Sequence, residues 1–193
     1  ILMILSYLTL FFGLKLLVKP SYRTIIYFLS GIILIQFYMI LEKRQVSKSS
    51  EFIVFNTYKR TLIGQRKGRL LNIFSGSDKE KNSLIVKNYI TGTPHIDSLS
   101  TSKLQNFYCI DQKKFMLIDS TAIYSHNYSP DIVIVTGSPK INFERLLRVL
   151  HPEIVIVDQN NYRYLIDKWK GTAQSNRVKF YSTSQKGAFR YPY

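Results

Sequence analysis

The sequence predicts an α/β (α+β) fold: mixed sheets in two layers with helices outside, preceded by a pair of long apolar helices. Three observations carry this. Residues 1–41 hold two uncharged or nearly uncharged apolar runs. Three short β-rich runs then follow one another, "EFIVFNTY", "TLIGQ" and "RLLNIFSG", the pattern of an antiparallel meander. From Asp131 to Trp169 the chain reads strand, helix, strand, helix, and such alternation belongs to a buried sheet with parallel pairs.

The first apolar run, "ILMILSYLTLFFGL" from Ile1 to Leu14, carries no charge; Lys15 interrupts it, and "LLV" follows before Lys19 and Pro20. The second, "TIIYFLSGIILIQFYMIL" from Thr24 to Leu41, is 18 residues without a charge. At roughly 1.5 Å per residue a helix of that length nearly crosses a hydrocarbon core. Neither run has the polar face that a helix of a soluble bundle needs, so residues 1–41 read as two transmembrane helices in a hairpin. Pro20 breaks the helix in the loop "KPSYR", Lys19 and Arg23 sit at headgroup depth, and Tyr7, Tyr22, Tyr27 and Tyr38 are candidates for the interface. A signal peptide would need a basic start and a small-residue cleavage site, and this run has neither. Because the chain opens at Ile1 inside an apolar run, it reads as the C-terminal fragment of a longer protein, with the hairpin as the end of a larger membrane bundle. Orientation is undecided by charge: Lys15, Lys19 and Arg23 on one side balance Lys43, Arg44 and Lys48 on the other.

Residues 42–50, in "EKRQVSKSSE", read as a polar linker, and residues 51–193 as one domain. In its opening meander Gly68 supplies the second turn. "DKEKNSLIVKNYITG" is a helix ending near Gly92, and "NFYCI" with "KFMLIDS" is a hairpin turned at Asp111 to Lys113. "DIVIVTG" and "EIVIVD" are buried strands, followed by helices at "NFERLLRVL" and "NYRYLIDKWKGTA". In the first of these helices Phe143, Leu146, Leu147 and Leu150 share a face, with Glu144, Arg145 and Arg148 turned away. "RVKFYSTS" and "GAFRY" close the chain as strands.

The net charge is +15, from 27 Lys and Arg against 12 Asp and Glu. Residues 50–193 alone hold 21 against 11, a net +10, so the excess is not a membrane-flank effect. Such a charge favours an anionic partner, either nucleic acid or a lipid bilayer surface. Lys59, Arg60, Arg66, Lys67 and Arg69 cluster at the tips of the meander with Tyr58 among them, a candidate nucleic-acid-binding patch of cations beside a stacking ring. A solvated basic face is the structural alternative. Cys109, the single cysteine, excludes an internal disulfide and a cysteine-based metal site, and within "FYCI" it reads as a buried, inert thiol.

No catalytic set stands out. His95, His126 and His151 are each isolated, without a second histidine two or four residues away. Ser138 in "TGSPK" lacks the G-x-S-x-G spacing of a nucleophile elbow and reads as a turn residue. Asp119 and Asp158 each end a buried strand and could pair as carboxylates, but with no third ligand they read as acceptors for turn amides. No phosphate-binding loop of Walker type is present, and no cofactor is implied.

The paired terminal helices, the polar linker, the "FIVFN…LIGQRKGR…NIF" meander, "DIVIVTGSPKINFERLLRVLHPEIVIVD", the helix carrying Trp169 and the ending "STSQKGAF" together resemble the C-terminal portion of ComEC-type competence proteins. "SPKIN" and "KGAF" are the most specific pieces. The resemblance implies an inner-membrane, multi-pass channel for single-stranded DNA uptake in natural transformation, carrying a metallo-β-lactamase-like domain that faces the periplasm. It implies as partners single-stranded DNA, the upstream membrane part of the same protein and other competence proteins. Catalytic members of that fold carry an HxHxDH loop after the meander, because two metals need several His and Asp side chains on one rim to activate a water. Here the corresponding segment, "SDKEKNSLIVKNYITGTPHIDSLS", offers only His95 and Asp97. The expectation is therefore a degenerate, non-catalytic domain that guides DNA. A nuclease degrading the strand that is not imported, and a docking domain for other uptake proteins, are the two competing readings.

Overall fold

The computed structural model describes residues 2–77, 83–93, 96–125 and 128–193, and the side chains of all of these except 42–48. It forms two compact units, residues 1–48 and 49–193.

In the first unit α1 (Leu2–Val18) and α2 (Tyr22–Lys48) pack as a hairpin broken at Pro20. Small residues set their approach: a Cβ on Gly31 would lie 2.1 Å from Thr9 Cγ2, and one on Gly13 would lie 3.1 Å from Phe28. Thr9 is buried there and returns its hydroxyl to the Leu5 carbonyl at 2.8 Å, so no donor is lost in the apolar contact. Within α2 the stretch Tyr22–Leu41 is long and apolar enough to cross a membrane, whereas α1 is a shorter apolar helix of 17 residues. Met3, Ile4, Leu17 and Ile33 all point outward. The helix continues through residues 42–48, so most of the expected linker is the last two turns of α2. A run of Glu, Lys, Arg and Gln has high helix propensity and follows an existing helix, which makes elongation cheap.

The second unit contains, among the described residues, ten strands and four helices. Strands β1 (Ser50–Val54), β2 (Leu62–Lys67) and β3 (Leu70–Ser75) form the expected meander, with Gly68 at φ 58° in its two-residue turn. Helix α3 (Leu84–Gly92) then crosses to β4 (Ser98–Lys103), which lies parallel to β3. The hairpin of β5 (Phe107–Ile110) and β6 (Lys113–Ile118) turns at Asp111, at φ 54°. Next come β7 (Ile132–Val135), α4 (Phe143–Leu150), β8 (Ile154–Val157), α5 (Arg163–Ser175), β9 (Lys179–Ser182), the short α6 (Thr183–Lys186) and β10 (Phe189–Pro192). One sheet runs β10-β1-β2-β3-β4 and the other β5-β6-β7-β8-β9. Both are mixed: β3 and β4 are parallel in the first, and β6 to β9 are parallel in the second.

The apolar alternation decides how they stack. From β1, Phe52 and Val54 meet Phe115, Leu117 and Ile134 of the other sheet, with the Phe52 and Phe115 rings 4.5 Å apart. On the reverse face of β1, Ile53 and Phe55 pack against Val86 and Tyr89 of α3. From β7, Ile132 and Ile134 point between the sheets, while Val133 and Val135 pack on Leu146 and Leu150 of α4 and on Ile166 and Trp169 of α5. The order of layers is therefore helix, sheet, sheet, helices. It explains why "IVIV" is continuous rather than alternating: both faces are covered. Each fully buried side chain of this size contributes about 1.5–3 kcal/mol.

Two differences from the sequence reading follow from edges. The polar "SLSTSK" forms β4 because it lies at the edge of its sheet, where one side is wet and no apolar run is required. Cys109, expected to be buried, is exposed. It lies on β5, the edge strand of the second sheet, whose burial alternates so that Tyr108 and Ile110 point inward and Phe107 and Cys109 outward.

Candidate functional site

Open sheets place their usable loops where the strands end. Here the C-terminal ends of β7 and β8 meet the loop between β1 and β2, and the residues at that edge are polar. Asp158, just after β8, is 1% exposed and is the hub. Its Oδ2 accepts from the Thr136 hydroxyl at 2.7 Å and the Thr61 hydroxyl at 3.2 Å. Its Oδ1 accepts from the Asn160 amide at 3.1 Å and from Asn161 Nδ2 at 2.8 Å. Asn161 Nδ2 also reaches the Val135 carbonyl at 2.8 Å, and its Oδ1 accepts from the Ser138 amide, again at 2.8 Å. The Ser138 hydroxyl accepts in turn from the Tyr162 amide at 2.8 Å, so one network locks three loops together.

Burial pushes the Asp158 carboxyl up to about 7, against the opposing pull of the Thr136, Asn160 and Thr61 donors. Both oxygens of Asp158 are within hydrogen-bond distance of protein donors, Thr136 and Thr61 at one and Asn160 and Asn161 at the other. Asp158 thus turns both oxygens to its own loops. A dinuclear metal of the kind that catalytic members of the resembled fold carry does not fit this edge among the described residues, where no three His, Cys, Asp or Glu side chains come together. Its neighbours are Thr, Ser and Asn, which are weak ligands for such ions. Asp119 serves its own turn, accepting from the Thr121 amide at 2.9 Å. His151 caps the C-terminus of α4 at φ 48°, and Asp97 pairs with Arg69. His95 and His126 lie outside the described residues.

The five cations marked in the sequence do not form one patch. Lys59 and Arg60 precede β2, whereas Arg66 and Lys67 end it and Arg69 lies in the following turn, about 20 Å away at the rise of a strand. Arg66 is buried: its guanidinium lies 3.4 Å from Glu51 and donates to Ser49 Oγ at 2.9 Å. Arg69 is spent on Asp97, and Lys67 is exposed. Only Lys59 and Arg60 reach the loop edge. Lys59 Nζ stands 5.3 Å from the Tyr58 ring centre, and both residues border clefts that open beside Asn160 and Ser138.

The turns at 137–140 and 158–161 stand out in the sequence as the loops where a site would lie, but the network that joins them does not. Thr136 and Asn160–Asn161 were legible as polar residues at the same point of two consecutive "IVIV" strands, the position where parallel strands release their loops. Thr61 was not, because its partners are 75 and 97 residues away.

No curated protein matches the chain, and no solved structure does. The model of the ComEC C-terminal domain matches residues 52–193, which covers nearly all of both sheets, α3 to α6 and the whole loop edge. The chain therefore belongs to the ComEC C-terminal domain family, and through it to the membrane proteins of competence DNA uptake.

Proposed function

We propose that this chain belongs to an inner-membrane, multi-pass channel for single-stranded DNA uptake, and that residues 51–193 are a metallo-β-lactamase-like domain that guides DNA without cleaving it. The two-sheet sandwich with helices on both outer faces supports that fold assignment. One observation supports the loss of catalysis: the buried carboxylate at the loop edge turns both oxygens to Thr61, Thr136, Asn160 and Asn161 of its own loops. A metal-activated water needs open coordination at such a carboxylate. The apolar hairpin anchors the domain, with Tyr22–Leu41 as the clearest span, and the domain faces the periplasm, where DNA arrives.

The guiding role rests on charge. Residues 50–193 carry a net +10, and Lys59 with Tyr58 offers a phosphate contact beside an aromatic ring. The test is DNA uptake in cells that make this protein. Deleting residues 52–193 while leaving the membrane part in place is expected to abolish entry of labelled DNA into the cytoplasm, and substituting Asp158→Ala is expected to leave both strands of surface-bound DNA equally intact. Unchanged uptake after the deletion contradicts the reading.

A further inference from the structure

The loop edge is continuous with a longer groove. The cleft beside Ser138 and Asn160 shares Tyr58, Asn161 and Tyr162 with a second cleft along the start of α5. Tyr162 also lines a third cleft, which runs between the N-terminal ends of α4 and α5. These clefts have volumes of about 350, 500 and 640 Å³.

Their lining is cationic and aromatic. Lys59, Arg163, Lys140 and Lys168 follow one another along the clefts, all exposed and, among the described residues, without a carboxylate partner. Two acids intrude, and one of them, Glu144, is already paired with Arg148 at 2.6 Å, which leaves Asp167. Three tyrosines stand in the same groove: Tyr58 is 69% exposed, Tyr162 65% and Tyr164 68%. Rings so exposed contribute little to the core, and nothing in the packing of α5 requires them, since Ile166, Trp169 and Ala173 form its buried face. Tyr162 and Tyr164 lie nearly parallel, 15° apart with ring centres separated by 5.9 Å, so each keeps a π-face for another planar group.

From this geometry we infer that the groove is a binding surface for unpaired nucleotides, in which Lys59, Lys140, Arg163 and Lys168 hold phosphates and Tyr58, Tyr162 and Tyr164 stack on bases. The inference rests on the DNA-guiding reading and deepens it: it moves the contact surface away from Arg66, Lys67 and Arg69, and it makes recognition specific for single strands, whose bases alone are free to leave the stack. A duplex or a lipid headgroup satisfies the lysines and leaves the rings idle.

The full chain in nanodiscs of neutral lipid is titrated with three probes of equal length: oligothymidylate, the same backbone without bases, and a duplex. The expected result is that oligothymidylate binds at least about fivefold tighter than the abasic strand. The double substitution Tyr162→Ala with Tyr164→Ala is expected to bring that ratio close to one while leaving the salt dependence unchanged, and the emission of buried Trp169 reports that the fold is intact. If oligothymidylate and the abasic strand bind equally, and the tyrosine variant behaves as the parent does, the inference is overturned and the DNA-guiding reading stands. If none of the probes binds, both fall. Displacement of DNA by anionic vesicles with identical effect in parent and tyrosine variant assigns the groove to a lipid surface and likewise overturns the inference.

Discussion

Asp158 makes the stability of the unit formed by residues 49–193 depend on pH in a direction opposite to that of most paired carboxylates. Its carboxyl moves from 3.8 in an unfolded chain to about 7 in the folded one. Below pH 3.8 both states carry the proton and the stability is complete. Between 3.8 and 7 the unfolded chain ionises while the folded chain must keep its proton, so stability falls by about 1.4 kcal/mol per pH unit; above 7 the loss levels off. From pH 5 to pH 8 this amounts to about 3 kcal/mol, or on the order of 10 °C in Tm for a domain of this size. The protein has a single tryptophan, Trp169, 3% exposed and stacked on Phe143, so its emission follows unfolding of this unit and not of the apolar hairpin. Urea titrations at pH 5 and pH 8 measure the effect, and Asp158→Asn serves as the reference, since an amide of the same shape has no proton to lose. The parent is expected to lose about 3 kcal/mol more than the variant across that range. Parallel profiles for the two proteins refute the reasoning, because they mean that the four donors compensate the burial completely.

Three further outcomes follow from the same geometry. Thr136→Val removes the hydroxyl that donates to Asp158 Oδ2; the Asp158 carboxyl then rises further, and the decline in stability extends to higher pH in the same titrations. Gly64→Ala places a Cβ 2.8 Å from Phe55 Cε2 and 3.3 Å from its Cζ in the middle of β2, and the crowding is expected to cost about 1–3 kcal/mol in urea unfolding. Arg66→Met leaves Glu51 without its guanidinium in a nearly buried position, so the domain is expected to lose about 3 kcal/mol or more while the salt dependence of DNA binding stays unchanged. A reduced salt dependence in that variant would show that Arg66 meets phosphate directly.

Most of the fold was legible because burial writes itself into local pattern. "DIVIVTG" and "EIVIVD" are covered on both faces, so their apolar runs are unbroken, and Asn142 and Ser83 cap helices that the periodicity already marked. The turns at Gly68 and Asp111 lay where positive φ was to be expected. The elements that escaped are those that bury little: β4, at a sheet edge, and α6, a single turn between strands of different sheets. Residues 42–48 misled for a different reason, since a charged run suits a solvated helix as well as a linker.

The candidate site was less legible, because it is made by tertiary contact. Five cations close in sequence looked like one patch, yet a six-residue strand carries Arg66 and Lys67 to the far end of β2 from Lys59, and Arg66 is turned inward to Glu51. Tyr162 and Tyr164 drew no notice because neither belongs to the buried stripe of α5: Tyr162 is the N-cap residue, outside the helix, and Tyr164 lies off the line of Ile166, Trp169 and Ala173. Asp158 was read as an acceptor for turn amides, which the Asn160 amide bears out, and not as the hub of a wider network. Its four donors come from three separate loops, one of them 97 residues away.

The central claim, a DNA-guiding domain that has lost its catalysis, is met most directly by titrating the full chain with labelled single-stranded DNA at two salt concentrations, with divalent metal and with chelator. If the four groove cations each neutralise a phosphate, affinity falls about 50-fold between roughly 50 and 200 mM salt, the chelator changes nothing, and the DNA is recovered intact. Cleavage that requires the metal and stops with the chelator would contradict the account at its centre.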